Sequence, residues 1–226
     1  LLISNSTNFG ETYLAWPMSQ LESFCEKNNL KSDSKIVFVP FAGVFINGNP
    51  YPQSYDAYTA RVKKVFAEKL GLDNFVSVHE VEDKIALVNE AACIVVGGGN
   101  TFHLVAELHR YGLMEAISKV AKNGTPYIGW SAGSNIACPT LCTTNDMPIV
   151  QPESFKAIGA VKFQINPHYL DANPEGHAGE TREQRILEYI EANPRRWVVG
   201  LREGCMLRLL GDKLELIGSR PMRIFK

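Results

Sequence analysis

The chain has 226 residues, 45% of them apolar, and its 23 basic and 24 acidic side chains leave a net charge of −1. This balance gives no broad attraction for a phosphate backbone, which argues against nucleic acid as a partner. No apolar run reaches the roughly 20 residues that span a bilayer. The opening residues do not resemble a secretory signal, and five cysteines are too sparse for a disulfide framework. We therefore expect a cytoplasmic protein with no membrane partner.

Short apolar runs alternate with longer stretches of helical period. The runs predict strands at residues 1–4, 35–40, 75–79, 92–96 and 126–130, and the stretches predict helices at 11–28, 54–70, 83–90, 101–110 and 113–122. The last three strands are almost continuously apolar, as strands buried on both faces are. This alternation is typical of a parallel sheet between helices.

The last third of the chain has a different pattern. A loop-rich stretch follows residue 139, and then come a charged helix near 180–191 and strands at 197–201, 205–210 and 213–217. The turns Glu203-Gly204 and Gly211-Asp212 favour antiparallel pairing. We expect one α/β domain over residues 1–226, with three layers, a mostly parallel central sheet, helices on both faces and an antiparallel C-terminal edge.

Residues 129–133 read Gly-Trp-Ser-Ala-Gly and fit the nucleophile elbow G-x-S-x-G, in which serine lies on a strained turn between a strand and a helix. The context agrees, because a predicted strand precedes Ser131 and residues 132–138 can form a helix. The helix N-terminus would point at the reacting carbonyl, so the Ala132 N–H can face an oxyanion. The alternative is a packing motif, since small residues also suit a buried turn.

A second glycine motif, Gly97-Gly98-Gly99-Asn100-Thr101, also joins a strand to a helix. It does not fit the dinucleotide pattern, because Phe102 replaces the third glycine, and it lacks the Gly-Lys-Ser/Thr of a P-loop. Parallel strands bring their carboxyl ends to one sheet edge, so we expect this loop beside Ser131, with Gly99 as a second oxyanion donor. A tight packing turn is the alternative.

A serine nucleophile needs a base, and five histidines are available. Histidines on a helix are more often solvated or packed, which disfavours His103 and His109. His168 and His177 lie in the irregular stretch after the elbow, where Pro167 slightly favours His168. The acid that would orient the imidazole stays open among Asp146, Asp171, Glu180 and Glu203.

Eight segments carry a more specific pattern, at residues 3–7, 39–43, 97–102, 127–133, 143–150, 164–168, 174–177 and 179–185. Together they resemble the peptidase E (aspartyl dipeptidase) family, cytoplasmic serine peptidases that hydrolyse dipeptides with N-terminal aspartate (Asp-X). The resemblance runs from the first strand to Glu203-Gly204. It implies a triad of Ser131, His168 and Glu203, with Gly99 and Ala132 as oxyanion donors.

The resemblance also implies a dipeptide as the small-molecule partner. Arginine binds carboxylates in a planar, bidentate way, so Arg182 is expected to hold the aspartate side chain. Further candidates for the substrate amine and carboxylate are Asn100, Asn145, Asp146 and His177. Arg202, next to Glu203, is a cationic departure from the family's pattern.

We expect no cofactor and no metal, because Cys138 and Cys142 have no second Cys/His pair at ligand spacing. A homodimer is the candidate assembly. The alternative functions are a cyanophycinase-like hydrolase, a glutamine amidotransferase-like enzyme, which would want cysteine in place of Ser131, and a binding module without activity.

Overall fold

The computed structural model describes residues 1–173, 175–176 and 178–226. In chain order its first elements are β1 (Leu2–Ile3), α1 (Met18–Lys27), β2 (Ile36–Val39), β3 (Phe45–Ile46), β4 (Asn49–Pro50), α2 (Gln53–Leu70), β5 (Phe75–Ser77), α3 (Lys84–Asn89), β6 (Cys93–Val96), α4 (Thr101–Arg110), α5 (Leu113–Lys122) and β7 (Tyr127–Trp130). They are followed by α6 (Ala132–Asn135), β8 (Gln164–Pro167), α7 (Arg182–Ala192), β9 (Val198–Leu201), β10 (Cys205–Leu210), β11 (Lys213–Gly218) and β12 (Arg223–Phe225). Within these described ranges no helix is both long and apolar enough to cross a membrane.

The central sheet has seven strands in the order β11-β10-β1-β7-β6-β2-β5. Five neighbouring strands pair in parallel, in the order β1, β7, β6, β2 and β5, and β10 and β11 add an antiparallel edge. In the register of the parallel strands, Ile3 lies opposite Trp130 and Val96 opposite Gly129. The predicted mostly parallel sheet with an antiparallel C-terminal edge is therefore confirmed.

Helices cover both faces of this sheet because its inner strands are apolar on both sides. In β2, Val37 and Val39 belong to a core shared with α3, α4 and α5, whereas Ile36 and Phe38 belong to a core shared with α1 and α2. Alternate side chains of one strand thus enter opposite layers, as the two-residue period of a strand requires. Burying each such side chain contributes about 1.5–3 kcal/mol.

A second, three-stranded sheet was not expected from the sequence. Its order is β12-β9-β8, with β8 parallel to β9 and β12 antiparallel to it. The strand predicted at 197–201 is β9, so it lies in this sheet and not beside β10. The turn at Glu203-Gly204 therefore connects the two sheets and does not close a hairpin. Ile186 of α7 packs on this second sheet.

The helix predicted at residues 11–28 begins only at Met18. Before it the chain folds back towards the end of β1, where the Leu14 N–H donates to the Ser6 carbonyl at 2.9 Å. Leu14 has a φ of +58°, which an α-helix does not allow. The predicted helical stretch thus contains a loop that leads from β1 to α1.

Candidate active site

Ser131 lies on the turn between β7 and α6, with φ +53° and ψ −112°. A non-glycine residue in this region is strained, and such strain is characteristic of the nucleophile elbow. The turn is also crowded, because a Cβ atom on Gly133 would lie 2.2 Å from the Val96 carbonyl oxygen. Only glycine lets the first turn of α6 approach β6 so closely. The strand and the turn are therefore as the sequence predicted, whereas α6 ends at Asn135 and does not cover the predicted helical residues 132–138.

The His168 ring lies between Ser131 and Glu203. Its Nε2 atom is 2.8 Å from Ser131 Oγ, and its Nδ1 atom is 2.7 Å from Glu203 Oε1. The side chains of His168 and Glu203 are 37% and 47% exposed, so the group is open to solvent. The structure thus brings together three side chains from the ends of β7, β8 and β9.

His168 is held by its backbone as well as by its ring. Its N–H donates to Ser4 Oγ at 2.9 Å, and the Ser4 hydroxyl donates to the Leu201 carbonyl at 2.8 Å. On the other side, Asn145 Nδ2 donates to the Pro167 carbonyl at 2.7 Å. Ser4 follows β1 and is fully buried, so the end of β1 fixes the ends of β8 and β9 relative to each other.

The turn that carries Glu203 is held from the same end of β1. The Gly204 N–H donates to Asn5 Oδ1 at 2.9 Å. Asn5 is 2% exposed, and its carbonyl accepts a hydrogen bond from Trp16 Nε1 at 2.9 Å. The position of the carboxylate is therefore set by a buried amide that is remote in sequence.

Arg202 is turned away from its neighbour Glu203. Its Nε atom donates to Asp171 Oδ2 at 2.8 Å, and its guanidinium lies 5.4 Å from the centre of the Tyr169 ring. The hydrogen bonds with Arg202 lower the pKa of the Asp171 carboxyl and raise that of the guanidinium. The charge of Arg202 is thus paired with Asp171, which leaves Glu203 to His168.

The two predicted oxyanion donors, Gly99 and Ala132, belong to the two segments next to Ser131. Ala132 is the first residue of α6, where an N–H has no acceptor within the helix. The glycine loop is in contact with the serine, since a Cβ atom on Gly98 would lie 2.9 Å from Ser131 Cβ. Gly99 follows directly, so the glycine loop and the first residue of α6 both lie next to the residue that carries the hydroxyl.

Two further candidates, Asn100 and Asp146, contact the start of α4. Asn100 Oδ1 accepts from the His103 N–H at 3.0 Å, and its Nδ2 donates to the Met147 carbonyl at 2.9 Å. Asp146 Oδ2 accepts from the N–H and the hydroxyl of Thr101, at 2.7 and 2.5 Å. A carboxylate is favourable at a helix N-terminus. Both side chains thus tie the loop around residue 146 to the glycine loop.

A cavity of about 310 Å³ opens beside these residues, lined by the 142–146 loop, Asn166 and α7. Arg182 lines it and forms no salt bridge with any residue in the described part of the chain. Partial burial lowers the pKa of its guanidinium, and the nearby Asp146 carboxylate opposes that shift. Arg185 lines the cavity too but is paired with Glu180 at 2.9 Å.

Two predicted site residues remain, Asn145 and His177. Asn145 also lines this cavity, and its Oδ1 accepts from Asn166 Nδ2 at 2.7 Å. His177 lies outside the residues that the structure describes. A second cavity of about 280 Å³, lined by Tyr51, Tyr55 and other side chains, contains none of the predicted site residues.

Cys142 lines the 310 Å³ cavity and is an exposed thiol, whereas Cys25, Cys93, Cys138 and Cys205 are buried. Burial raises the pKa of Cys25 to about 11, which keeps that thiol protonated and unreactive at pH 8. We expect native protein to react rapidly at one thiol with dithiobis(nitrobenzoate), and at all five only after denaturation. Rapid reaction that persists in Cys142→Ser would contradict the assignment.

Ser4 and Asn5 were not predicted as parts of the site. Both lie within segment 3–7, which contributes to the family resemblance; Ser4 is the last residue of a predicted strand, and Asn5 follows it. Their position at the carboxyl end of a parallel strand was a usable signal, because ligand sites form at that edge.

Comparison with known proteins identifies the family of this chain. The sequence profile of peptidase family S51 matches residues 1–217. A protein of Nostoc sp. named Peptidase E is 46% identical over the whole of this chain and 88% of its own length. Another Peptidase E, from Salmonella newport, is 43% identical over the whole chain and 93% of its own length.

Two solved structures share the fold. One is a putative peptidase E protein from Listeria monocytogenes EGD-e, with TM-score 0.63 and 23% identity over 88% of this chain and 92% of that one. The other is a peptidase from an acI-B1 Actinobacterium, with TM-score 0.67 and 16% identity over 99% of this chain and 91% of that one. With the profile and the full-length relatives, the conclusion is plain: this chain belongs to peptidase family S51.

Proposed function

We propose that this peptidase is a serine dipeptidase that hydrolyses Asp-X dipeptides through Ser131, His168 and Glu203. The observation that carries the proposal is the bridging imidazole, 2.8 Å from the serine hydroxyl and 2.7 Å from the carboxylate. A nucleophilic serine needs a base within hydrogen-bond reach and a third group that orients the base. The relatives named Peptidase E support a peptide as the substrate.

In the proposed reaction, Ser131 Oγ attacks the peptide carbonyl while its proton passes to His168 Nε2. Glu203 holds the ring by Nδ1 and stabilises the imidazolium, and the N–H groups of Gly99 and Ala132 bind the oxyanion. When the C–N bond breaks, His168 gives its proton to the leaving amine. Water, deprotonated by the same imidazole, then attacks the acyl-enzyme and releases aspartate.

The proposed basis of specificity is the charge arrangement of the 310 Å³ cavity. The Arg182 guanidinium is half-buried and without a salt bridge among the described residues, so it can form a bidentate pair with the β-carboxylate of the substrate. The substrate ammonium would lie near Asp146, with Asn100, Asn145 and His177 as further polar partners. Opposite charges in the cavity would thus match the two charges of an N-terminal aspartate.

A substrate panel tests this specificity. We expect kcat/KM to be highest for Asp-Leu and about 10²-fold lower for Asn-Leu, which has nearly the same shape but no charge for Arg182. N-acetyl-Asp-Leu should be poor because it lacks the ammonium group, and Glu-Leu because its carboxylate is displaced by one methylene. Initial rates followed by amine release measure all four. Equal kcat/KM for Asp-Leu and Asn-Leu would contradict the proposal, and cleavage of a cyanophycin-type polymer in preference to Asp-Leu would favour that alternative.

A further inference from the structure

Tyr58 lies on α2, outside the residues described above, and its hydroxyl reaches the glycine loop. The hydroxyl donates to the Gly98 carbonyl at 3.0 Å and accepts from Trp130 Nε1 at 3.0 Å. Trp130 is the residue immediately before Ser131. One buried phenol thus joins the loop that carries one proposed oxyanion donor to the turn that carries the nucleophile.

The Tyr58 ring has little freedom to move. It is 3% exposed and packs edge-on against Phe38, with ring centres 5.3 Å apart. The loop fits tightly around it, because a Cβ atom on Gly97 would lie 2.6 Å from the Tyr58 hydroxyl oxygen. Burial raises the pKa of Tyr58, so its hydroxyl remains a protonated donor at neutral pH.

The hydrogen bond to Gly98 acts on the next residue through the peptide plane. The carbonyl of Gly98 and the N–H of Gly99 belong to one trans peptide unit, in which they are rigidly antiparallel. A donor that fixes the direction of the carbonyl therefore also fixes the direction of the Gly99 N–H. Glycines on both sides of this unit would otherwise leave it free to rotate.

We propose that Tyr58 is a positioning residue for the oxyanion site: by holding the Gly98 carbonyl, it aims the Gly99 N–H at the oxyanion formed by Ser131. This inference rests on the proposed role of Gly99 and Ser131. It assigns Tyr58 no contact with substrate. Its contribution is pre-organisation, since a donor that is already aimed needs no reorganisation when charge develops.

Tyr58→Phe removes the hydroxyl and keeps the ring. Loss of an oxyanion donor lowers kcat by about 10²–10³-fold, so a donor that is present but poorly aimed should lower it by roughly 10–100-fold, with KM for Asp-Leu changed less than about threefold. Tyr55→Phe is the matched control, because Tyr55 lies on the same helix, is 4% exposed and contacts His103 rather than the glycine loop. It should leave kcat unchanged.

Two inhibitors separate positioning from a general loss of structure. An aspartyl aldehyde forms a tetrahedral adduct with the serine and uses the oxyanion site, whereas product aspartate does not. Tyr58→Phe should raise the inhibition constant of the aldehyde by the same factor by which it lowers kcat/KM, and it should leave the inhibition constant of aspartate unchanged. Equal weakening of both ligands, or kcat within twofold of wild type, would overturn the proposal.

Substitution with unnatural amino acids covers the case in which Tyr58→Phe fails to fold. 4-Aminophenylalanine at position 58 keeps a donor and an acceptor and should restore kcat, whereas 4-fluorophenylalanine fills the same space without donating and should not. Equal kcat in these two proteins would count against positioning.

A fluorophosphonate keeps this test separate from the question of substrate. Its phosphorus forms a bond to the serine oxygen, fluoride leaves, and the phosphoryl (P=O) oxygen occupies the oxyanion site. Slower labelling of Tyr58→Phe would support the positioning role even if Asp-Leu is not hydrolysed, and unchanged labelling would overturn it. If wild type neither reacts with the phosphonate nor hydrolyses Asp-Leu, both the proposed function and this inference are wrong.

Discussion

Ser131→Ala is expected to lower kcat for Asp-Leu by about 10⁴-fold or more, because the acyl-enzyme route requires the hydroxyl. The fold should survive the change. The Ser131 N–H bond to the Ile3 carbonyl at 3.0 Å belongs to the backbone, and the lost side-chain contact is to a partly exposed imidazole. We expect the free energy of unfolding to change by less than about 1 kcal/mol. Purified variant and wild type should be compared by steady-state kinetics and thermal unfolding.

Ser118→Ala is a suitable control for this experiment. Ser118 lies on α5 and donates to the Ile158 carbonyl at 2.7 Å, so its loss should lower stability slightly and leave kcat unchanged. A serine-directed fluorophosphonate should label wild type and Ser118→Ala but not Ser131→Ala. Near wild-type hydrolysis by Ser131→Ala would exclude the proposed mechanism. An absence of labelling in wild type would favour the non-enzymatic binding module.

The central part of the fold could be predicted from the sequence because its signals are local. The apolar runs that form β2, β6 and β7 were placed to within one residue at either end, and α4 and α5 have their predicted bounds. In these elements burial, periodicity and helix ends all favour the same structure. Because these independent signals agree, the elements could be predicted from a single sequence.

The missed elements depend on long-range pairing or on a signal that was overlooked. β12 has three residues and forms because β9 is available to pair with it. β8 ends in Pro167, which is tolerated because β8 is an edge strand. The β3–β4 hairpin did have a local signal: Asn47-Gly48 is a typical two-residue hairpin turn, and both residues have positive φ.

The site divides in the same way. Five consecutive residues were enough to predict Ser131 as the nucleophile, whereas the residues alone left His168 and His177 as rival bases, and the family resemblance selected His168. The supporting contacts were beyond local reasoning. Ser4 meets His168 across 164 residues, and Asn5 meets Gly204 across 199. Such contacts follow from the order of strands in the sheets, which sequence period does not determine.

Arg182→Ala is expected to raise KM for Asp-Leu by about 10²-fold, with a much smaller effect on kcat. A bidentate, charge-assisted pair between a half-buried guanidinium and a carboxylate contributes about 3 kcal/mol, which corresponds to that factor. KM for a dipeptide with uncharged side chains, such as Leu-Leu, should change less than about threefold, since its N-terminal residue has no side-chain carboxylate. Arg182→Lys should recover only part of the loss, because an ammonium keeps the charge but not the fork. Steady-state kinetics with the two dipeptides measure each effect.

Arg185→Ala is the matched control for this prediction. Arg185 is on the same helix and lines the same cavity, but it pairs with Glu180 at 2.9 Å and with Glu188 at 3.7 Å and is 61% exposed. An exposed, paired arginine contributes little to binding a new carboxylate, so KM for Asp-Leu should stay within about threefold of wild type. If Arg182→Ala raises KM equally for both dipeptides, Arg182 contributes to the shape of the cavity but does not bind the side-chain carboxylate of the substrate. If Arg185→Ala produces the larger effect on Asp-Leu, the specificity arginine has been misassigned by one turn of α7.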